Sequence, residues 1–191
     1  MRNRNAHGFT LIELLIVIGI IVVLLGLAFP VFQGVQDRAR KVQAKNDVTQ
    51  IVTAVNAFYT EYGRYPTDQT TDATATYGAG FTSSKFVFDE LRAKTATLNT
   101  RQIVFISPGE DSSQAGPKGK IGSDGQFHDP WATAYAFRMD ADYDNQVANP
   151  YTADTGAGPS NVRQGVIAWS LGKDATQGTS FKVSDDVISW Q

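Results

Sequence analysis

The chain contains no cysteine, which excludes disulfide staples, thiolate metal sites and a thiol nucleophile together. Histidine is nearly as scarce, with only His7 and His128. A multi-histidine zinc centre is therefore excluded, and a nucleophilic triad would have to be built around His128 alone. His128 stands beside Asp129 and reads as a surface or sheet-edge residue. No Gly-x-Ser-x-Gly element is present, and Gly116-Pro117-Lys118-Gly119-Lys120-Ile121 fails the P-loop spacing and lacks its Ser or Thr. The chain is expected not to be an enzyme. Charge of one sign is missing too: 17 basic residues face 19 acidic ones, so nucleic acid is not an expected ligand.

Against these absences stands one long apolar run, Phe9 to Phe29, which comes after a short basic leader ending in Gly8 and carries a single carboxylate, Glu13. About 21 residues at a helical rise of 1.5 Å reach roughly 30 Å, the thickness of a bilayer's hydrocarbon core. Leu27-Ala28-Phe29-Pro30 is a poor match to a secretory cleavage site, and the helical pattern carries on beyond it. A carboxylate inside a membrane helix costs about 2.5 to 3.5 kcal/mol on insertion scales, so Glu13 calls for a partner or a function. Cleavage between Gly8 and Phe9 would place a new α-amino group, with an ordinary pKa of about 8, one helical turn from Glu13. In a stack of identical helices the amine of one subunit would neutralise Glu13 of the next. The plainer alternative is a membrane anchor whose Glu13 snorkels to the interface.

Gly8 followed by Phe9-Thr10-Leu11-Ile12-Glu13 resembles the class III signal of type IV pilins and type II secretion pseudopilins. The resemblance implies cleavage after Gly8 by a prepilin peptidase, methylation of the Phe9 amine, and an assembly role for Glu13. Pro30 stands where many of these proteins carry a helix-loosening proline, and proline removes one helical hydrogen bond and clashes with the preceding turn. The motif covers only the first 30 or so residues. Loss of the leader removes Arg2 and Arg4 from the basic count and leaves the remainder mildly acidic. Many type IV pilins close their C-terminal region with a disulfide; this chain must do so by other means.

After Pro30 the helix becomes amphipathic. Val48, Ile51, Val52, Val55, Phe58, Tyr59 and Tyr62 recur at spacings of three and four, while Val35, Ala39 and Val42 form a thinner stripe before them. Gly63 should end the helix and Pro66 prevent its resumption. From Arg64 onward the chain is loop-rich. Thr67 to Phe81 and Ser107 to Gln126 read as surface loops. Ser84 to Leu98 reads as a short helix, and Gln102 to Ile106 as an edge strand or a buried extended segment. Ala134 to Met139, Gly165 to Ser170 and Val187 to Trp190 are strand candidates. Asp140-Ala141-Asp142-Tyr143-Asp144-Asn145 alternates carboxylates like half of an EF-hand but lacks its glycine and its terminal Glu. It reads as a solvated hairpin tip, with a second, weaker calcium site as the alternative.

Several downstream pieces resemble the major pseudopilin of type II secretion. Gly63-Arg64-Tyr65-Pro66-Thr67 is similar to the turn after its long helix, and Asp129-Pro130-Trp131 to an Asp-Pro-Trp-Gly element, with Ala132 where the glycine usually stands. Ser170-Leu171-Gly172-Lys173-Asp174, with Ser184-Asp185-Asp186-Val187-Ile188-Ser189-Trp190 after a loop, is similar to that family's C-terminal calcium loop. Calcium takes about six to eight oxygens at 2.3–2.6 Å. The resemblance implies side-chain ligation by Asp174 and Asp185, with Asp186 a third, and carbonyl ligands from Leu171 and Val183. Ordinary turn aspartates, bonded to local backbone, are the alternative.

The expected fold is α+β and type IV pilin-like: a long N-terminal helix, half membrane-spanning and half amphipathic, packed on a small antiparallel sheet. Residues 1–8 form the leader, 9–30 the membrane and filament-core helix, 31–63 its amphipathic continuation, and 64–191 a globular domain with a calcium loop. The resemblance implies a bacterial inner-membrane, single-pass subunit whose C-terminal domain lies in the periplasm or outside the cell. Its partners would be copies of itself in a helical filament, prepilin peptidase, minor pseudopilins, and an inner-membrane assembly platform with its ATPase. Two other readings remain: a pilin or minor pilin of a surface fibre, and a membrane-anchored calcium-dependent binding module that never polymerises.

Overall fold

The computed structural model describes the chain apart from residues 1–8, 112–115, 152–154 and 179, and apart from the side chains of 27–33 and 155. It divides into two compact units, one ending at Ala39 and one comprising Arg40–Gln191. Helix α1, Leu11–Tyr62, supplies the first unit and opens the second.

In the first unit the helix is apolar all round. Large apolar side chains from Leu11 to Leu25 are 46% to 88% exposed, which no soluble surface tolerates over such a length without a cover. Among the described residues no helix is long and apolar enough to cross a membrane. Leu27, Ala28 and Phe29, which complete the apolar run in the sequence, are among the side chains not described. Pro30 is another of them, and the helix runs through it without a break. Gly8 lies outside the described residues.

In the second unit most of the expected stripe is core, with Val52 and Tyr62 half-buried and Tyr59 exposed. Ala44, Val48, Ile51, Val55 and Phe58 are fully buried, each large one contributing about 1.5–3 kcal/mol of transfer free energy. Val35 and Val42 of the thinner stripe are exposed. The helix ends as its sequence demands: Gly63 takes φ +69 and its N–H closes on the Tyr59 carbonyl at 2.8 Å.

The main sheet has four strands, β1 Thr76–Tyr77, β2 Ala136–Met139, β5 Val166–Ser170 and β6 Val187–Ile188, which lie side by side in that order and are all antiparallel. A separate pair joins β3 Val147–Ala148 to β4 Asn161–Val162. All of β5 is buried because both faces of the sheet are covered. Val166 and Ala168 join the core of α1, while Ile167 and Trp169 face a second cluster with Val147, Tyr151 and Val162. The sheet thus forms the middle of three layers, where burial of the helix alone required two.

Four expectations change. The loop read over Thr67 to Phe81 contains β1, because Thr76 and Tyr77 find free edge groups on β2. The helix read as Ser84 to Leu98 is α2, Lys85–Leu91; it stops because Ala93 turns left-handed at φ 56 and the buried Glu90 carboxylate captures the following amides. Asp142 to Asn145 are exposed as expected, but the segment is no hairpin tip, since β2 and β3 lie in different sheets, and Asp140 at its start is 2% exposed. Its carboxylate instead accepts the amides of Asp144 and Asn145, and the carboxylates it clusters with are Asp72 and Asp142. Gln102 to Ile106 joins no ladder; the amides of Phe105 and Ile106 turn to the Leu91 carbonyl.

Candidate functional site: the N-terminal carboxylate and the C-terminal aspartate cluster

Helix α1 begins at Leu11, so Thr10 is its N-cap and Glu13 its third residue. The two form a reciprocal cap: the Thr10 N–H and hydroxyl donate to Glu13 Oε2 at 2.8 and 2.7 Å, and the Glu13 N–H donates to Thr10 Oγ1 at 3.3 Å. This is the Thr-x-x-Glu capping box, a helix-start signal that the surrounding apolar run masks in the sequence. It holds the one carboxylate of the apolar run at the helix end, one turn from Phe9, whose side chain is 80% exposed.

At the other end of the chain the structure brings Asp174, Asp185 and Asp186 together, with one carboxylate oxygen from each lying within 4.8 Å of the others. Two arms hold them. The first continues from β5, where Leu171 is buried and Gly172 turns left-handed at φ +65. A Cβ at Gly172 would lie 2.6 Å from Asp185 Cγ, so only glycine lets the arms close. The second is a short 3-10 turn, Phe181–Val183, on which the Val183 side chain is exposed. Lys173 N–H donates to Asp185 Oδ2 at 2.6 Å, and Thr176 N–H to Asp174 Oδ1 at 2.9 Å.

Asp186 is the unfinished member. It is 6% exposed, its Oδ2 accepts the Gly178 N–H at 3.1 Å, and its Oδ1 has no partner. The Tyr151 hydroxyl beside it is also buried without a hydrogen bond. Burial pushes the Asp186 carboxyl above its ordinary range, partly offset by the nearness of Tyr151. A buried carboxylate oxygen without a donor costs free energy, and two neighbouring carboxylates raise that cost. A hard divalent cation would cancel it, and an all-oxygen cluster is the donor set calcium takes.

Residues distant in sequence brace this end. Lys45 on α1 donates its Nζ to the carbonyls of Ile188, at 2.8 Å, and Gln191. Asp129 is fully buried and accepts the N–H groups of Trp131 and Thr133, both at 2.9 Å. Asp47 of α1 accepts the Tyr135 hydroxyl at 2.8 Å. Burial raises both carboxyls above their ordinary values. The Asp129 turn is local, but neither long-range pairing, Lys45 with the C-terminal carbonyls or Asp47 with Tyr135, has a short-range signal. His128 is mostly buried, reaching Asp124 and the Ala132 carbonyl, and it forms a bridge with Ala134 at the sheet edge.

Comparison with known proteins bears on the N-terminal feature. Residues 3–29 match the prokaryotic N-terminal methylation motif. The chain is 44% identical over 63 residues to the type IV major pilin protein PilA of Myxococcus xanthus, covering 33% of this chain and 29% of that one. It is 32% identical over 69 residues to the type II secretion system core protein G of Klebsiella michiganensis, covering 36% and 49%. To the type IV major pilin protein PilE of Neisseria gonorrhoeae it is 33% identical over 104 residues, covering 53% and 61%. The alignments thus span less than two thirds of each relative's length. No solved structure gives a significant match. The long helix followed by a small antiparallel sheet is a type IV pilin-like α+β arrangement, and the N-terminal part of the chain is similar both to type IV pilins and to type II secretion core protein G.

Proposed function

We propose that the chain is the structural subunit of a type II secretion pseudopilus, cut after Gly8 by prepilin peptidase, methylated on Phe9 and polymerised into a helical filament that drives export of folded proteins. The observation that carries this reading is the apolar helix, bearing one capped carboxylate at its start, which lies within the match to the methylation motif at residues 3–29. In a simple anchor Glu13 would serve the helix cap alone, whereas in a filament it would also meet the amine of the next subunit. In a filament the helices bundle at the centre, and their packing comes from van der Waals fit and from the Glu13–amine pair, because leaving lipid yields no hydrophobic gain. The contact is heterologous and does not close, so it propagates as a screw. The subunit waits in the inner membrane, with its C-terminal domain in the periplasm, and an assembly platform with its ATPase lifts it among minor pseudopilins.

Calcium has a structural part in this reading. Asp174, Asp185 and Asp186 would hold it, with the Leu171 and Val183 carbonyls as the further ligands implied by the family resemblance. The ion supplies the charge that lets three carboxylates lie together, fixing the C-terminal arms against the sheet where other such chains use a disulfide.

The test expresses the full chain with a prepilin peptidase and its assembly machinery. Mass spectrometry should find a methylated Phe9 N-terminus, and Glu13→Gln should be cleaved normally yet fail to enter filaments. Normal assembly of Glu13→Gln removes Glu13 from the assembly contact, whereas absence of filaments from the wild-type chain overturns the polymer reading and leaves the non-polymerising calcium-dependent module. The similarity to pilins favours a second reading, a surface fibre for adhesion, motility or DNA uptake. Loss of exoprotein export on deletion of the gene selects the pseudopilus, whereas loss of surface fibres with intact export selects the pilus.

A further inference from the structure

β5 ends on Ser170, which is completely buried. Its hydroxyl does two things at once: it donates to Asp129 Oδ2 at 2.6 Å and accepts the Gly172 N–H at 3.1 Å. Asp129 Oδ1 is already held by the amides of Trp131 and Thr133 in its own turn. The aspartate is therefore a fixed post, anchored in the Asp-Pro-Trp turn, and Ser170 is the crosspiece that ties β5 to it.

Beyond Ser170 the chain enters the first arm of the aspartate cluster. Gly172 turns left-handed against Asp185, and the next amide, from Lys173, donates to Asp185 Oδ2. Each step is one hydrogen bond or one van der Waals contact long: Asp129 to Ser170, Ser170 to Gly172, then Gly172 and Lys173 to Asp185. A hydroxyl suits the second position because it is both donor and acceptor, and burial keeps water from taking either bond.

We infer that Ser170 is a positioning residue for the calcium loop, relaying the buried Asp129 anchor to the Gly172 turn and so fixing Asp185 beside Asp174 and Asp186. The inference rests on the calcium reading of that cluster. Groups that orient metal ligands without touching the metal typically change affinity by about 10- to 100-fold when removed. The sequence distance of 41 residues between Asp129 and Ser170 hides the connection from any local pattern.

The experiment uses the full chain in detergent, stripped of metal, as wild type, Ser170→Ala, Asp129→Asn and Thr76→Val. Thr76 is a buried hydroxyl that also bridges two elements, accepting from Arg138 and donating to the Asp72 carbonyl. It reports the general cost of removing such a group. Two quantities are read: calcium affinity by titration, and amide hydrogen exchange of the Gly172–Lys173 segment without metal. Ser170→Ala should weaken calcium by about 10- to 100-fold and speed exchange of that segment. Asp129→Asn, which reverses the polarity of the bond to Ser170, should act in the same direction. Thr76→Val should leave both quantities at wild-type values. Unchanged exchange and affinity in Ser170→Ala, or equal losses in Thr76→Val, overturn the inference. If wild type shows no calcium response, the calcium reading falls and the metal role of Ser170 with it, while the metal-free exchange still decides whether Ser170 holds the turn.

Discussion

Glu90 and Asp186 are both buried carboxylates in the Arg40–Gln191 unit, and their surroundings differ in one respect. Glu90 is completely buried, and its oxygens accept four hydrogen bonds, from the Thr95 hydroxyl at 2.7 Å and the amides of Thr97, Leu98 and Asn99 at 3.1, 2.9 and 2.6 Å. Burial pushes its pKa up, but those donors outweigh it and hold the group below its ordinary value. Asp186 has one amide on one oxygen, nothing on the other, and a raised pKa caused by burial. A saturated carboxylate is a finished piece of architecture: here it ends α2 and shapes the connection after it. An unsaturated one beside two others is where the proposed cation would sit.

The largest effect should come from removing the acid at Glu90, with Asp186 as its counterpart. Glu90→Gln turns an amide N–H2 toward donors and leaves buried N–H groups without acceptors, at a cost of about 3 kcal/mol in denaturant unfolding of the full chain in detergent. Asp186→Asn, measured in chelator, removes an uncompensated charge and should cost close to nothing. Equal losses in the two variants break the comparison. Saturating calcium sharpens it: at a hundredfold excess over Kd, binding to the folded state alone adds about 2.7 kcal/mol. Wild type and Glu90→Gln should gain that amount alike, and Asp186→Asn should gain far less. An unshifted wild-type midpoint removes calcium from the account.

The legibility of these two sites in sequence differs for the same reason that their chemistry does. Asp174, Asp185 and Asp186 stand out because they flank glycine-containing turns in two short segments resembling a known loop. The helix stripe from Val48 to Phe58 is visible from its spacing alone, and Gly63 from its position at the stripe's end. Glu90 is not, since its partners in 95–99 are mostly backbone amides, which have no signature, and its own position continues an ordinary helical pattern. Asp129 and Ser170, Asp47 and Tyr135, and Lys45 and the Ile188 carbonyl meet only after the sheet has formed. β1 is unreadable because two residues carry no period. Thr10 and Glu13 have the spacing of a capping box, but the apolar residues around them point first to membrane and filament.

Acid should separate buried carboxylates by sign. The folded pKa of Glu90 lies below its unfolded value, so its contribution is fully present above the unfolded pKa and is lost as pH falls through the folded one. The stability gap between wild type and Glu90→Gln should therefore shrink on acidification below the ordinary carboxylate range. Asp47 has a raised folded pKa, set by burial and by the nearby Asp129 charge against the Tyr135 bond. Its contribution is present below the unfolded pKa and lost as pH rises through the folded one. Asp47→Asn should thus gain on wild type at neutral pH and lose that gain in acid. Unfolding curves of the three proteins across this range check both signs, and parallel curves would contradict them.

The smallest effect tests a departure from the pseudopilin pattern that the Asp-Pro-Trp turn resembles. Ala132 stands where the Asp-Pro-Trp element usually has glycine, and the turn has kept the glycine conformation: φ is +76, and the Ala132 N–H closes on the Asp129 carbonyl at 3.0 Å. An L-residue with a Cβ is strained there. Yet the turn cannot relax, because Asp129 is gripped by the amides of Trp131 and Thr133 and by Ser170. Ala132→Gly should consequently stabilise the protein by about 0.5–1 kcal/mol, the strain relieved exceeding the added freedom of the unfolded chain. A loss on that substitution would mean that the methyl group's packing outweighs the strain.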